Sequence, residues 1–305
     1  MASPRFPVWT SFSPSGHHPL FIHSPDLFES PPRTSRAMHS SLSLAAVFAL
    51  PLVQLASAHG HVSSVAVNGG SRIETANPNW YYLPADQRKN TPGWRALNQD
   101  NGFVEPKNFG TNDIACHKSA TPGQTYIEAN AGDRLTIYWD TWPESHRGPV
   151  LNYLAPCNGE CTSASAGSLS FTKVSEGALI SGSNPGNWVT DTLIRNNFSS
   201  DLTIPRNLAA GNYVLRHEII ALHAAGQQNG AQAYPQCLNL KIRSGGSRQL
   251  TGGTPGRSLY SATDPGIIFS LYQQFSSYKI PGPAVQNLRR RTPRGAMSQD
   301  AEAEE

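Results

Sequence analysis

His59 lies directly after a segment that has the features of a removable export signal. The run from Ser41 to Ala56 is mostly apolar, and Ala56-Ser57-Ala58 places small residues at the third and first positions before His59. A short apolar run that ends in small residues at these positions is typical of a secretory signal peptide. We therefore predict that cleavage after Ala58 makes His59 the first residue of the mature protein.

A terminal histidine carries two metal-binding nitrogens in one residue. Its α-amine has an ordinary pKa of about 8, so it loses its proton far more readily than a lysine side chain does. The amine and imidazole of His59 could then bind one ion as a chelate. A third nitrogen from another histidine would give a tetragonal nitrogen set, which favours Cu(II). Without such a partner, His59 would be only the residue that follows a cleavage site.

The chain divides into four predicted segments. Residues 1–37 are rich in Pro, Ser and His and show neither apolar period, which predicts disorder or a spurious extension upstream of Met38. Residues 38–58 form the signal peptide, 59–284 the folded domain, and 285–305, with its basic and then acidic residues, a disordered tail. A transmembrane helix is disfavoured at 41–56, because a bilayer needs roughly 20 residues and Pro51 interrupts the run.

The segment 59–284 is patterned for strands rather than for helices. Apolar and polar residues alternate in Asp133–Asp140, Asn212–Ala221 and Cys237–Arg243. Shorter runs of the same kind occur at His61–Val67, Thr125–Ala129, Leu169–Val174 and Leu202–Ile204. Many short strands with Gly, Pro and Asn between them predict an all-β fold, an antiparallel β-sandwich of the immunoglobulin or fibronectin type. The polar, aromatic-rich stretches Ile73–Asn112 and Asn158–Thr192 are predicted to be long surface loops that form a binding surface.

The cysteines and the charge narrow the class of protein. All four cysteines, Cys116, Cys157, Cys161 and Cys237, follow residue 58, which in an exported chain predicts two disulfides with three possible connectivities. Cys157 and Cys161 could form half of a zinc site, but no second pair at zinc spacing completes it. The sequon at Asn197 predicts glycosylation. A formal charge of +3 without a basic patch gives no support for a nucleic-acid partner.

Several motifs in the segment 59–284 resemble a known family. From His59 to about Pro283 the chain closely resembles the fungal cellulose-active lytic polysaccharide monooxygenases, auxiliary activity family nine, formerly glycoside hydrolase family 61. The motifs that carry the resemblance are His59–Ser63, Asp113–Lys118, Trp142–Val150, Tyr153–Gly159, Asn212–Leu222, Gln232–Cys237, Asp264–Gly266 and Ser276–Pro283. They occur in order and at family-like spacing, so the resemblance is specific.

The resemblance implies a copper site and its neighbours. His59 would supply amine and imidazole, His146 the third nitrogen, and Tyr234 the axial position. His223 and Gln232 match the pair that hydrogen-bonds near the oxygen-binding position and tunes the metal.

The resemblance also implies the pairing of the cysteines and shows one departure. It pairs Cys116 with Cys237 and Cys157 with Cys161. At Arg147 the motif often has a second histidine after the ligand, so a surface arginine there could change the substrate contact or the local charge.

The remaining histidines and aromatic residues have structural alternatives. His61 would bind Cu(II) through backbone amides in a flexible peptide, but its strand-like context predicts that these amides are paired. His117 is expected to be structural or at the surface, and His217 a hydrogen-bonded core group or a support for the site. Tyr272 is the best candidate for a ring that faces the sugar, with ordinary packing as the alternative. In the Ile73–Asn112 loop Trp80, Tyr81, Tyr82 and Trp94 are left unassigned.

The function implied by the resemblance is oxidative. The enzyme would cleave cellulose or a related β-1,4-glucan at C1 or C4, using one copper ion, O2 or H2O2, and a small-molecule or protein electron donor such as cellobiose dehydrogenase. A secreted monomer without a membrane partner is expected.

Two other classes of function compete with this one. A glycoside hydrolase would need a carboxylate pair, for which Glu144 and Glu218 are available without a distinctive spacing. A noncatalytic carbohydrate-binding sandwich would need the aromatic residues alone.

Overall fold

The computed structural model describes residues 59–286 and residue 288. The predicted extension at 1–37, the predicted signal peptide at 38–58, and residues 287 and 289–305 of the predicted tail lie outside the described residues. In the part of the chain that is described, no helix combines the length and the apolar character needed to cross a bilayer.

Strands make up most of the regular structure. In chain order they are β1 (Val62–Val67), β2 (Ile73–Glu74), β3 (Ile127–Ala129), β4 (Arg134–Trp139), β5 (Val150–Pro156), β6 (Ser170–Gly177), β7 (Leu179–Ser181), β8 (Asn187–Trp188), β9 (Ser199–Thr203), β10 (Gly211–Ala221), β11 (Gln232–Ile242) and β12 (Thr254–Pro255). The helices α1 (Asp113–Cys116) and α2 (Val189–Arg195) are short.

The strands form two main sheets that pack against each other. One sheet has the order β2-β1-β4-β9, the other has the order β12-β6-β5-β10-β11-β3, and β7 pairs with β8 in a separate hairpin. Neighbouring strands are antiparallel except for β3, which pairs with β11 in parallel. The predicted all-β sandwich is therefore confirmed, with one parallel pair at the edge of the larger sheet.

A hydrophobic layer lies on each face of the six-stranded sheet. The layer between the sheets joins Ile137 of β4 to Leu215 and Ile219 of β10. The second layer joins Val214 on the opposite face of β10 to Trp188 at the end of β8. Because β10 is covered on both faces, nearly all of its residues are buried, including its polar ones.

An ion pair lies inside the second layer. Arg216 and Glu218 are fully buried, and their side chains form two hydrogen bonds of 2.7 Å. The Arg216 guanidinium also donates to the carbonyls of Ile114 and Ala115 in α1, and the Tyr260 hydroxyl donates to Glu218. These partners offset the cost of removing two charges from water. The pair thereby ties α1 and the segment around Tyr260 to the sheet.

The two predicted loops differ in structure. Ile73–Asn112 is largely irregular, with short 3-10 turns at Trp80–Tyr82, Ala85–Gln87 and Pro106–Asn108. The prediction of a long loop at Asn158–Thr192 is wrong, because this stretch contains β6, β7, β8 and the start of α2. The backbone of β6 pairs with β5, which confirms the strand predicted at Leu169–Val174 within this stretch.

The disulfides are those that the family resemblance implies. Cys116 of α1 bonds to Cys237 of β11, and Cys157 bonds to Cys161 in the turn after β5. The first bond joins residues 121 positions apart and holds α1 against the larger sheet.

The folded domain continues beyond the predicted boundary at residue 284. Leu288 is buried in the layer between the sheets, and the amide of Gln286 donates to the carbonyl of Lys173 over 2.9 Å. A disordered tail that starts at residue 285 is therefore wrong for these residues, because an apolar side chain packs in the core there.

Candidate metal centre

Strand ends on one side of the sandwich bring the predicted ligands together. β1 begins shortly after His59, and β4, its antiparallel neighbour, ends on the same side and leads to His146. In the larger sheet β10 ends just before His223, and β11 begins with Gln232 and carries Tyr234. Residues far apart in the sequence thus meet because antiparallel neighbours reverse direction at one edge.

The aromatic rings at this edge lie close together. The ring centroids of His59 and His146 are 5.4 Å apart with an interplanar angle of 71°. The Tyr234 ring lies 5.8 Å from that of His59 and 5.0 Å from that of Trp142. Trp142 also donates its indole N–H to the His146 carbonyl over 2.8 Å, which fixes the turn that presents this histidine.

His146 has a nitrogen suited to a metal ion. Its Nε2 is buried and has no hydrogen-bond partner among the described residues, whereas its Nδ1 lies 3.0 Å from the hydroxyl of Ser145. Burial, followed by the neighbouring imidazoles of His223 and His59, lowers the pKa of His146 to about 3. The imidazole is therefore neutral near pH 7, and its Nε2 lone pair is available to a metal.

The atoms that could bind a metal here are not all side-chain atoms, so a search of side chains alone does not find the site. Among residues 59–286 and 288, no group of three or more His, Cys, Asp or Glu side chains is arranged to hold a metal ion. A site made of two imidazoles and a main-chain amine does not need such a group. Burial lowers the pKa of His59 against the opposing effects of Asp100 and Gln232, so its ring also favours the neutral form. The residues present fit a metal that prefers nitrogen ligands.

The phenol of Tyr234 is buried, and its hydroxyl proton is engaged in a hydrogen bond. The side chain is fully buried, and its hydroxyl donates to Oε1 of Gln232 over 2.7 Å. Burial raises the pKa of Tyr234 far above its ordinary value, so the phenol stays protonated. The oxygen of Tyr234 can therefore act only as a weak, uncharged ligand to a metal ion.

His223 lies beside His146. Their rings are stacked with centroids 3.9 Å apart, and Nδ1 of His223 is buried without a hydrogen-bond partner in the described structure. Burial, followed by the neighbouring imidazole of His59, lowers the pKa of His223. The imidazole has a nitrogen that can exchange a hydrogen bond with a molecule at the site.

Asp140 holds the segment that follows His59. Its Oδ1 accepts hydrogen bonds from the amides of His61 and Thr141, over 2.8 and 2.9 Å. A Cβ on Gly60 would lie 2.0 Å from the Thr141 carbonyl oxygen, so the close approach requires glycine there. The prediction that the His61 amide is occupied is confirmed, but its partner is a side chain rather than a neighbouring strand. Sequence reasoning missed Asp140, since an acidic residue after a strand carries no distinctive pattern.

Arg147 is not a freely exposed side chain. Its Nε lies 3.1 Å from Oδ1 of Asp191 in α2, and 28% of its side chain is exposed. The residue that departs from the family motif is thus joined to a helix.

The structure separates the aromatic candidates by exposure. Tyr272 is 60% exposed and Tyr82 is 75% exposed, whereas Trp94 is buried and donates to the side chain of Asn239. In the same loop as Tyr82, the Trp80 ring is covered by Arg88 and Arg95, and the Tyr81 hydroxyl lies 2.9 Å from that of Thr121. The two exposed tyrosines therefore have rings that remain open to a ligand.

The other two histidines are structural. His117 is buried, its Nδ1 accepts from the Lys118 amide, and its Nε2 lies 2.9 Å from the Gly102 carbonyl. His217 is buried between the indole N–H of Trp139 and the side chain of Asn152. Both histidines are expected neutral, because burial lowers the pKa of His117 to about 4 and that of His217 to about 3.

The carboxylates do not form a hydrolase pair. Glu144 is exposed, whereas Glu218 is fully buried and engaged by Arg216 and Tyr260. A glycosidase needs two carboxylates that flank one bond. Glu218 has no access to a sugar, so this arrangement is missing.

Comparison with known proteins identifies the family of the chain. The family model for auxiliary activity family 9, formerly GH61, matches residues 59–279. A lytic polysaccharide monooxygenase F from Malbranchea cinnamomea is 56% identical over 238 residues, which cover 77% of this chain and 94% of the relative. The corresponding F protein of Emericella nidulans is 50% identical over 76% of this chain and 92% of the relative.

A solved structure shares the fold. The extended catalytic domain of H. jecorina LPMO9A superposes with a TM-score of 0.71 at 44% sequence identity, covering 74% of this chain and 90% of that one. The chain belongs to auxiliary activity family 9, the lytic polysaccharide monooxygenases, which are oxidative enzymes of polysaccharide breakdown.

Proposed function

We propose that this protein is a secreted, copper-dependent monooxygenase that cleaves cellulose or a related β-1,4-glucan at C1, at C4 or at both. One observation carries the proposal: Nε2 of His146 is buried without a partner in the described structure, beside the His59 ring, which in turn lies 5.8 Å from the Tyr234 ring. A buried polar atom of this kind requires an explanation, and a metal ligand provides one.

The amine and imidazole of His59, the imidazole of His146 and the phenol of Tyr234 would hold the copper. Copper bound there would supply one-electron redox chemistry with O2 or H2O2, after reduction by a small molecule or a protein such as cellobiose dehydrogenase. The chain contributes neutral imidazoles, because burial keeps both histidines unprotonated. It also contributes a phenol that remains protonated and hydrogen-bonded to Gln232.

His223 and Gln232 are proposed to orient reactants at the site. Gln232 accepts a hydrogen bond from the Tyr234 hydroxyl and shares a side-chain hydrogen bond with His59, so its amide is held against the proposed ligands. His223 is fixed by stacking on His146, and its Nδ1 has no partner in the described structure. This nitrogen can therefore donate or accept one hydrogen bond at the site. Groups of this kind orient a reactive ligand without binding the metal themselves.

The substrate surface is proposed to include Tyr272. Its side chain is 60% exposed, and a flat aromatic face suits the face of a sugar ring. A flat polysaccharide would be bound across exposed rings rather than enclosed in a pocket.

Maturation is required for the proposed site, since His59 has a free amine only after cleavage. The match to the family model begins at residue 59, which agrees with cleavage after Ala58. The two disulfides fit an oxidising extracellular compartment. Asn197 is exposed, as a glycosylated residue must be. We infer a secreted monomer.

The test uses the full chain secreted from a fungal host. Intact-mass measurement and N-terminal sequencing should show a start at His59. With copper, a reductant and cellulose, the protein should release oligosaccharides oxidised at C1 or C4, and a chelator should abolish them. Plain reducing ends that persist under chelator would instead indicate a hydrolase, and binding without cleavage a noncatalytic module.

A matched variant isolates the role of the amine. It carries a single extra alanine between Ala58 and His59, so that the mature chain begins one residue early. This variant should fold normally but lose oxidative turnover. Normal turnover from it would contradict the chelate.

A further inference from the structure

The segment that carries His146 is held on one side by the end of β10. The amide of Leu222 donates to the carbonyl of Arg147 over 2.8 Å, and the amide of Ile220 donates to that of Pro149 over 3.2 Å. A Cβ on Gly148 would lie 1.9 Å from the Ile220 carbonyl oxygen, so glycine is needed for this approach. The backbone after His146 is therefore packed closely against β10.

The same segment is held on its other side by the first turn of α2. The amide of Gly148 donates to the buried hydroxyl of Thr190 over 3.2 Å. Nε of Arg147 lies 3.1 Å from Oδ1 of Asp191 and 3.3 Å from Oδ2. Only 14% of the Asp191 side chain and 28% of the Arg147 side chain are exposed, so solvent and salt screen this ion pair less than a surface pair.

Asp191 is itself well anchored. Its Oδ2 accepts a hydrogen bond of 2.7 Å from the amide of Trp188, which precedes α2. Trp188 is fully buried, and its ring lies 4.9 Å from that of Tyr278. Arg147 is therefore paired with a carboxylate whose position is set by the core.

Helix α2 also connects to the proposed sugar-binding surface. The β7–β8 hairpin leads directly into Trp188 and α2. In the turn of this hairpin the hydroxyl of Ser183 donates to the side chain of Gln274 over 2.8 Å. Gln274 lies close in sequence to the exposed Tyr272, so α2 is joined to the segment that presents this ring.

We propose that Arg147 is a positioning residue, which through its ion pair with Asp191 sets the position of His146 relative to α2. The inference rests on the proposed function, because it concerns the geometry of the copper site. Trp142 holds the His146 carbonyl from one direction, and the Arg147 side chain holds the next residue from another. Loss of the pair would leave the backbone contacts with β10 and Thr190 in place but would remove the side-chain tie between Arg147 and α2, which would allow the imidazole to shift.

The test compares Arg147→Gln and Asp191→Asn with the control Arg243→Gln. Arg243 pairs with Glu128 at the opposite end of β11, where both side chains are exposed. The asparagine can still accept from the Trp188 amide, so the start of α2 is preserved. Calorimetry should show that both test variants bind Cu(II) about tenfold more weakly than the control. Their Cu(II) electron paramagnetic resonance spectra should shift in the same direction, and Arg147→Lys should restore part of the change.

The reduction potential separates positioning from a simple effect of charge. If charge alone mattered, loss of the cation would lower the potential and loss of the anion would raise it, with unchanged spectra. Opposite shifts of this kind, or affinities and spectra equal to those of the control, would overturn the proposal.

If wild type and control bind copper while the test variants match them, the positioning role fails and the proposed function stands. If the wild type itself binds no copper, both fail. Should Arg147→Gln not fold, Asp191→Asn decides.

Discussion

Asp140 Oδ2 lies 3.1 Å from His61 Nδ1, while Asp140 Oδ1 accepts the His61 amide over 2.8 Å. The first contact does not have hydrogen-bond geometry, because His61 Nδ1 has no hydrogen-bond partner in the described structure. It is an electrostatic contact between the imidazole and the carboxylate. Burial alone would raise the pKa of Asp140, but its contacts with His61 lower it, so the carboxylate is charged near pH 7. One side chain at the end of β4 thus fixes the segment that follows His59.

Asp140→Ala should weaken copper binding at His59. The substitution removes the acceptor for the His61 and Thr141 amides, so the terminal segment becomes free to move. We expect Cu(II) affinity, measured by calorimetry, to fall by about tenfold, as for other groups that orient a ligand.

Two further variants make the result specific. Asp140→Asn keeps an acceptor oxygen and should lose at most about twofold in affinity, because one hydrogen-bond geometry is retained. Asp201→Ala removes a carboxylate of β9 that pairs with Arg134 and should leave affinity unchanged. Equal affinities for Asp140→Ala and Asp201→Ala would show that Asp140 does not position the terminus.

His146→Ala should remove tight copper binding without unfolding the protein. The metal would lose one of its nitrogen ligands, so affinity should fall by at least about 100-fold, more than loss of a neighbouring group causes. The metal-free protein should keep its stability, because the variant also removes a buried nitrogen without a partner, which costs roughly 1–3 kcal/mol. Calorimetry with Cu(II) and thermal unfolding of the metal-free form measure both effects. Undiminished affinity would exclude His146 as a ligand.

The sequence singled out the proposed ligands more readily than the residues that support them. His59 and His146 belong to motifs, and the strand ends that bring them together follow from the alternating pattern of β4 and β10. Asp140 and Asp191 were missed, because a carboxylate near the end of a strand or the start of a helix has many possible partners that only the tertiary structure selects. Alternation also failed to show that Arg216 is buried, since loops cover the second face of β10.

His117 should make the stability of the metal-free protein depend on pH. Burial lowers the pKa of His117 from 6.5 to about 4, so between these values the unfolded chain binds a proton that the folded chain does not. Its contribution is complete above pH 6.5 and is lost as the pH falls toward 4. The linkage amounts to about 3 kcal/mol at most.

Urea unfolding of wild type and His117→Gln at pH 7, 6, 5 and 4 tests this dependence. The variant should be less stable at pH 7 but should lose less stability on acidification, because it has no group to protonate at this position. Other buried histidines titrate in both proteins and cancel in the difference. Parallel curves of unfolding free energy against pH for the two proteins would contradict the prediction.

Glu218→Gln should destabilise the protein through the charge that it leaves behind. Arg216 would remain fully buried without its carboxylate partner, and breaking a buried pair in this way costs about 3–5 kcal/mol. The matched control is Glu128→Gln, the same chemical change in an exposed pair with Arg243, which should cost less than about 1 kcal/mol. Urea unfolding at pH 7 measures the difference.

The same variant separates a structural carboxylate from a catalytic one. Per folded molecule, Glu218→Gln should release as much oxidised oligosaccharide as wild type, because the carboxylate is enclosed by Arg216 and Tyr260 and has no contact with the metal centre. A catalytic acid would show the reverse pattern, with stability like that of Glu128→Gln and no product. That outcome would make Glu218 a candidate for the acid of a hydrolase. It would also require the buried Arg216–Glu218 pair to open toward the substrate.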